Sequence, residues 1–126
     1  QAAVDATLQF GIGSATSRTI SGTTPLLLQL EKKIADFFGT EDAAYLPSGY
    51  LSNMAGFQAL EKSNVFDIIF IDELSHYSNI GGAMMTDKQV VEFKHRDPDD
   101  LRDKIKTHLK KDEKPLIISD GLFPIW

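Results

Sequence analysis

The segment Ser48-Gly49-Tyr50 has the composition of an anion-binding turn. It lies between a short apolar stretch and a helical pattern, which together predict a strand, a tight turn and a helix. At the start of a helix, unpaired backbone N–H groups and the helix dipole attract a phosphate or another anion. A serine N-cap followed by a turn glycine accounts for the same residues, so the tripeptide alone leaves both interpretations open.

His76 is the second candidate, because it follows the apolar run 66–71 at an edge where a planar ligand would rest. Its ring could stack on a cofactor, or it could be an ordinary hydrogen-bonded loop histidine. A metal site built from Asp72, Glu73 and His76 is a further hypothesis, although no other well-spaced ligand accompanies them.

Two more residues have a possible binding role. Arg18, in the stretch 17–22, could bind a carboxylate or a phosphate through its planar guanidinium, or it could hold the Gly- and Ser-rich loop in place. Asp120 follows a predicted strand and could orient a cofactor or cap the next turn. His95 and His108 are expected on the solvated surface.

The elements that would position these residues alternate between helix and strand. Apolar residues at helical spacing and capping residues at the ends predict helices at 1–10, 25–38, 51–60, 78–85 and 98–109. Strands are predicted at 43–46, 66–71, 89–93 and 115–119. The second and the last have the continuous apolar pattern of strands covered on both faces.

This alternation indicates an α/β protein with a layered sheet, in which ligands bind beyond the carboxyl ends of the strands. We therefore expect the polar residues that follow the strands to lie together at one edge. The stretch 11–22 is expected to be a loop. Because the last strand ends close to Trp126, the sheet is expected to continue outside this sequence.

The composition is that of a soluble globular protein of about one domain, with 126 residues, 42% hydrophobic and 25% charged. The net charge of -5 and the lack of a basic stripe argue against a nucleic-acid partner. There is no cysteine for a disulfide framework, and the longest apolar run is far too short to span a membrane. The start of the chain has no signal-peptide pattern, so a cytoplasmic location is expected.

In their order along the chain, these segments resemble the α-oxoamine synthase family of fold-type I pyridoxal-phosphate enzymes. The family patterns include S-R-x-I-S-G-T, S-G-Y-x-x-N and D-E-x-x-H-x-S-x-x-x-G. The blocks that match these or the other patterns of the family are Ser17–Thr23, Leu30–Glu41, Ser48–Asn53, Asp72–Gly82, Phe93–Asp97, Leu101 and Asp120–Phe123. The resemblance covers nearly the whole chain, and the S-G-Y block together with the D-E-to-H block is its most specific part.

The resemblance implies the aspartate aminotransferase-like fold, a three-layer α/β/α arrangement with a mostly parallel sheet. Residues 1–126 would form a single partial domain, the N-terminal part of the large cofactor-binding domain. The rest of that domain, the small domain and the family's Schiff-base lysine are expected beyond Trp126. No catalytic residue is therefore assigned within this chain, and the piece alone is expected to be inactive.

The resemblance also assigns roles to individual residues. Ser48, Gly49 and Tyr50 would meet the phosphate of pyridoxal 5'-phosphate, and the imidazole of His76 would stack on its pyridine ring. The residues expected to support this site are Asn53, Ser78 and Asp120. Arg18 would line the active site and bind substrate, and no metal is expected.

A member of this family would be a pyridoxal-phosphate-dependent acyltransferase and a homodimer. It would condense a small amino acid with an acyl-CoA, giving an α-amino ketone, coenzyme A and carbon dioxide. The sequence departs from the family at Thr16, where a glycine is usual, and at Phe123-Pro124-Ile125-Trp126, which replaces F-S-M-D-G-D. The alternatives are an aminotransferase or lyase of the same fold and a noncatalytic α/β binding module.

Overall fold

The computed structural model describes residues 1–123, and the chain divides into two compact units, of which the first is Gln1–Tyr45 and the second starts at Leu46. The first unit contains helix α1, Ala2–Phe10, and helix α2, Pro25–Phe38. Between them, the predicted loop includes a short π-helical turn at Arg18–Gly22. None of the helices in residues 1–123 is long and apolar enough to cross a membrane.

Helix α2 begins and ends where its capping residues predict. The hydroxyl of Thr24 accepts a hydrogen bond from the backbone N–H of Leu27, and Pro25 occupies the first turn, where its missing N–H costs nothing. Gly39 ends the helix with φ 67°, a left-handed conformation that glycine adopts without strain.

The prediction of a strand at 43–46 is wrong, because this stretch has no regular structure. A strand needs a neighbouring strand for its backbone groups, and here side chains take that place. The backbone N–H of Tyr45 donates to Oε1 of Glu31 at 2.7 Å, and its carbonyl accepts from Nη1 of Arg18 at 2.9 Å. Both backbone polar groups of Tyr45 are thus satisfied without a ladder.

The second unit is built on three parallel strands, β1 at Ile68–Asp72, β2 at Gln89–Phe93 and β3 at Pro115–Ile118. Their order in the sheet is β2-β1-β3, so that β1 is the central strand. The helices of this unit are α3, Gly49–Lys62, α4, Tyr77–Met84, and α5, Pro98–His108. Each of these elements was predicted from the sequence, with bounds that differ by a few residues.

Helices cover both faces of this sheet, which confirms the predicted three-layer α/β/α arrangement. Alternating side chains of β1 point to opposite faces and bury both. The core on one face includes Phe57 of α3 and Ala83 of α4, and the core on the other face packs against Leu101, Ile105 and Leu109 of the α5 region. Strand β3 was predicted to be covered on both faces, but Ile117 is 48% exposed.

A glycine lets α4 pack closely on α3. A Cβ atom at Gly82 would overlap the ring of Phe57, which is itself buried. Any larger residue at this position would therefore push the two helices apart. The close packing holds α3 and α4 together, and these two helices and their N-caps carry most of the candidate site residues.

Candidate functional site

His76 and Asp120 meet at the carboxyl edge of the sheet. Strand β1 is followed by α4 on one face of the sheet, and β2 is followed by α5 on the other face. The direction of the connections therefore reverses between β1 and β3. Such a switch point is where α/β sheets bind ligands. The backbone N–H of His76 donates to Oδ2 of Asp120 at 2.8 Å, and Nδ2 of Asn79 donates to Oδ1 at 3.0 Å. The structure brings these two predicted residues together.

The imidazole of His76 is held in one orientation although the residue is exposed. Its Nδ1 accepts from the backbone N–H of Ser78 at 3.1 Å and lies 2.6 Å from the Ser78 hydroxyl. That hydroxyl in turn accepts from Nδ2 of Asn53 at 2.7 Å. Because Nδ1 is the acceptor, the network assigns the ring hydrogen to Nε2. His76 is therefore both a hydrogen-bonded N-cap of α4 and a ring that is fixed in place.

The first turn of α3 has the features of an anion site. The hydroxyl of Ser48 accepts from the backbone N–H of Leu51 at 3.4 Å, so the serine is an N-cap. The backbone N–H groups of Gly49 and Tyr50 belong to the first turn and have no acceptor within the helix. A Cβ atom at Gly49 would meet nothing within 4 Å, so the space beside this turn is open. The N-cap interpretation is correct and leaves donors for an anion.

Contacts between α3 and α4 join the two halves of the candidate site. Asn53 reaches Ser78 through the hydrogen bond described above, one turn after Gly49. The hydroxyl oxygen of Tyr50 lies 3.1 Å from where a Cβ atom of Gly81 would be. The predicted phosphate-binding residues and the predicted ring-stacking residue are thus on adjoining helix starts.

His95 was expected on the solvated surface, and this prediction is wrong. Its side chain is only 16% exposed, and its Nδ1 lies 3.0 and 3.1 Å from the two carboxylate oxygens of Asp72. Its backbone N–H donates to Oε1 of Glu73 at 3.0 Å. His95 follows β2 by two residues, and that position at the carboxyl edge of a parallel sheet is the signal that could have identified it. His108, in the last turn of α5, is half-buried.

The hypothesis of a metal site at Asp72, Glu73 and His76 is not supported by their contacts. The two carboxylates engage His95, whereas the imidazole of His76 engages Ser78. Residues 1–123 contain no group of three or more potential ligands that could hold a metal ion.

Arg18 belongs to the first unit, where it forms a bidentate ion pair with Glu31. The distances are 2.7 Å from Nη1 to Oε1 and 2.9 Å from Nη2 to Oε2. Hydrogen bonding to Glu31 raises the pKa of Arg18, and the Arg18 guanidinium, followed by the N–H of Tyr45, holds the pKa of Glu31 below its ordinary value. Arg18 thus connects the π-helical turn to α2 and to the irregular stretch 43–46, as its loop-holding interpretation predicts. Its assigned substrate-binding role stays a prediction.

The departure at Phe123-Pro124-Ile125-Trp126 falls mostly outside the described residues, since 124–126 are not among them. Phe123 is described, and its ring packs edge-on against the imidazole of His95 with 4.4 Å between the ring centroids. The residue that follows β3 by five positions therefore contacts the residue that follows β2 by two.

The sequence matches the family described as aminotransferase class I and II over residues 1–121. It is 42% identical to the 8-amino-7-oxononanoate synthase of Maricaulis maris over 98% of this chain and 31% of that protein. Among solved structures it is similar to the Sphingomonas wittichii serine palmitoyltransferase, with 28% identity, a TM-score of 0.87 and coverage of 98% of this chain and 30% of the other. A serine palmitoyltransferase solved with PLP has 26% identity and a TM-score of 0.84, over 98% of this chain and 30% of that one. The chain spans about a third of the length of these relatives.

Proposed function

Because the chain belongs to the aminotransferase class I and II family, we propose that the full-length protein is a pyridoxal-phosphate-dependent acyltransferase. It condenses an amino acid with an acyl-CoA and yields an α-amino ketone, coenzyme A and carbon dioxide. The observation that carries the proposal is the fixed imidazole of the exposed residue His76 beside the open first turn of α3. Two of the relatives are an 8-amino-7-oxononanoate synthase and a serine palmitoyltransferase, and this favours acyl transfer over amino-group exchange.

The first turn of α3 fits the phosphate of pyridoxal phosphate. Gly49 and Tyr50 offer backbone N–H donors, and the hydroxyl of Ser48 can donate to a phosphate oxygen while it caps Leu51. The dipole of a 14-residue helix adds a favourable potential for negative charge at this end. A side chain at position 49 would occupy this open space, whereas Gly49 leaves it free for a phosphate.

The imidazole of His76 fits the pyridine ring as a stacking partner. Ser78, whose hydroxyl accepts from Asn53, holds the Nδ1 of His76, and Asp120 holds its backbone N–H, so the ring is oriented before the cofactor binds. Pre-organisation of this kind lowers the entropic cost of binding. When bound, pyridoxal phosphate supplies the electron sink for carbanion chemistry, and the residues of this chain bind and orient it.

Three further features belong to the proposal. Arg18 binds substrate with guanidinium N–H groups that are not used by Glu31 and Tyr45, and its side chain is 41% exposed. The protein is a homodimer and is located in the cytoplasm. That the amino-acid substrate is a small one follows from the family resemblance alone.

Absorbance spectroscopy of the full-length protein tests the proposal. Titration with pyridoxal phosphate should produce the visible absorption of the bound cofactor, and addition of glycine, alanine or serine with an acyl-CoA should release free thiol. Cofactor absorption with exchange of the amino group and no thiol release would indicate an aminotransferase or lyase. The absence of cofactor absorption would indicate a noncatalytic module.

The His76→Ala variant tests the assigned stacking residue. Loss of an aromatic contact worth about 1 kcal/mol should weaken cofactor binding about fivefold and lower turnover. His108→Ala is the matched control, because it removes a histidine from the end of α5. Unchanged cofactor affinity and turnover in His76→Ala would remove this residue from the site.

A further inference from the structure

Asp72 is a buried carboxylate at the end of the central strand. The residue is 3% exposed, and an ionised group at such a place must be paired and hydrogen-bonded. Its Oδ1 accepts the backbone N–H of Leu74 at 2.9 Å, and its backbone carbonyl accepts the N–H of Ser75 at 2.9 Å. Asp72 therefore forms the turn that connects β1 to His76.

His95 supplies the side-chain hydrogen-bond donor for the buried carboxylate of Asp72. Its Nδ1 faces both carboxylate oxygens, and because an ionised carboxylate only accepts, Nδ1 carries the hydrogen. The position of the histidine is fixed from two other directions. Its backbone N–H donates to Glu73, and the ring of Phe123 packs on its imidazole.

The turn between β1 and α4 is thus held by two carboxylates. Asp72 binds its first residues, and Asp120 binds the N–H of His76 at its end. Glu73, which lies inside the turn, also connects to β2, because its N–H donates to the carbonyl of Phe93 at 3.0 Å. The orientation of His76 consequently depends on contacts that reach the ends of all three strands.

We propose that His95 is a positioning residue, whose imidazole holds Asp72 and thereby fixes the turn that presents His76. His95 does not have to touch the substrate or the cofactor for this role. The effect on the turn is independent of what the site binds, whereas the consequence for cofactor binding rests on the proposed function.

Three variants of the full-length protein separate a hydrogen bond from simple space filling. His95→Leu removes the donor to Asp72 and keeps a side chain of moderate size. His95→Asn restores an N–H donor near the place of Nδ1. His108→Leu is the matched control, since it changes a histidine that has no part in the turn.

Hydrogen exchange by mass spectrometry, without cofactor, measures the turn itself. In His95→Leu, peptides covering residues 72–76 should exchange about tenfold to a hundredfold faster, as expected for loss of a charge-assisted hydrogen bond. Exchange in α3 should change much less. His95→Asn and His108→Leu should stay close to the parent protein. Unchanged exchange at 72–76 in His95→Leu, or equally fast exchange in His95→Asn, would overturn the proposal.

Cofactor titration then measures the consequence for His76. Pyridoxal phosphate should bind His95→Leu several-fold more weakly than it binds His95→Asn, because the stacking ring is less well oriented. Equal affinities for these two variants would show that the turn does not matter for the cofactor and would overturn that part. If the parent protein binds no pyridoxal phosphate, the proposed function fails, and the exchange result still decides the role of His95 in the turn.

Discussion

Glu31 in the first unit and Asp72 in the second are buried carboxylates with similar partners. Each accepts from one basic side chain and one backbone N–H. For Glu31 these donors are the guanidinium of Arg18 and the N–H of Tyr45. For Asp72 they are the imidazole of His95 and the N–H of Leu74. Both fix a piece of chain that has no ladder of its own. One arrangement holds the irregular stretch 43–46, and the other holds the turn before α4.

The two arrangements differ in how far the basic partner is exposed. The side chain of Arg18 is 41% exposed and that of His95 is 16% exposed. An exposed guanidinium that loses its partner is hydrated again, whereas a buried group that loses its partner is not. The same hydrogen-bond pattern should therefore contribute more to stability at Asp72 than at Glu31.

The largest effect is expected from Asp72→Ala. This change removes the acceptor for Leu74 and for the little-exposed His95 together, and it should lower the free energy of unfolding by about 3 kcal/mol. Urea denaturation of the full-length protein measures the difference. Asp87→Ala, at an exposed position, is the control and should change stability by no more than about 0.5 kcal/mol.

A smaller effect is expected from Arg18→Met, which keeps the apolar stem and removes the guanidinium. Glu31 would then keep only the N–H of Tyr45, and the carbonyl of Tyr45 would lose its donor. Thermal unfolding should show a lower midpoint than in the parent protein, and hydrogen exchange should be faster at 43–46. An effect as large as that of Asp72→Ala would contradict the argument from exposure.

Lys32→Met is the control for Arg18→Met, because it breaks an ion pair on the same helix that is exposed on both sides. Lys32 and Asp36 are 78% and 66% exposed and 3.6 Å apart. Such a pair contributes about 0.3 to 0.5 kcal/mol. A loss of the same size in both variants would mean that Arg18 and Glu31 also form only a surface ion pair.

These two carboxylates also show what a sequence can predict. Helices and parallel strands follow from hydrophobic periodicity and caps, and the regularity of α2 or β1 depends mainly on nearby residues. The strand predicted at 43–46 was wrong because its backbone partners are side chains of Arg18 and Glu31, far away in the chain. No local pattern contains that information.

The candidate site was predictable to a similar extent. His76 and Asp120 each follow a predicted strand. Because ligands bind at the carboxyl ends of the strands in α/β sheets, the sequence already predicted that these two residues lie together at one edge. The contact of His95 with Asp72 was missed, because a lone histidine in a polar stretch usually lies at the surface. The position of His95 just after β2 could have placed it at the carboxyl edge of the sheet, but its pairing with Asp72 also depends on the strand order, because β2 becomes the neighbour of β1 only in the folded sheet.

The smallest expected effect is the acid-dependent part of the Arg18–Glu31 contribution. Hydrogen bonding to Arg18, and then to Tyr45, holds the pKa of Glu31 below its ordinary value of 4.5. A carboxyl group with a lowered pKa in the folded state stabilises that state fully above its unfolded pKa, and the contribution is lost as the pH falls through the folded pKa. The pKa of Arg18 is raised, so its charge persists over the same range.

The difference in unfolding free energy between the parent protein and Glu31→Gln should therefore be constant at neutral pH and should shrink below about pH 4.5. Urea denaturation from about pH 7 to about pH 3 measures it. Glu41→Gln, an exposed position in the same unit, corrects for the loss of one carboxylate in general. A difference that grows on acidification would contradict this prediction, because it would mean that the folded protein stabilises the protonated form of Glu31. Glu31 and Asp72 would then no longer be comparable as ionised carboxylates that accept hydrogen bonds.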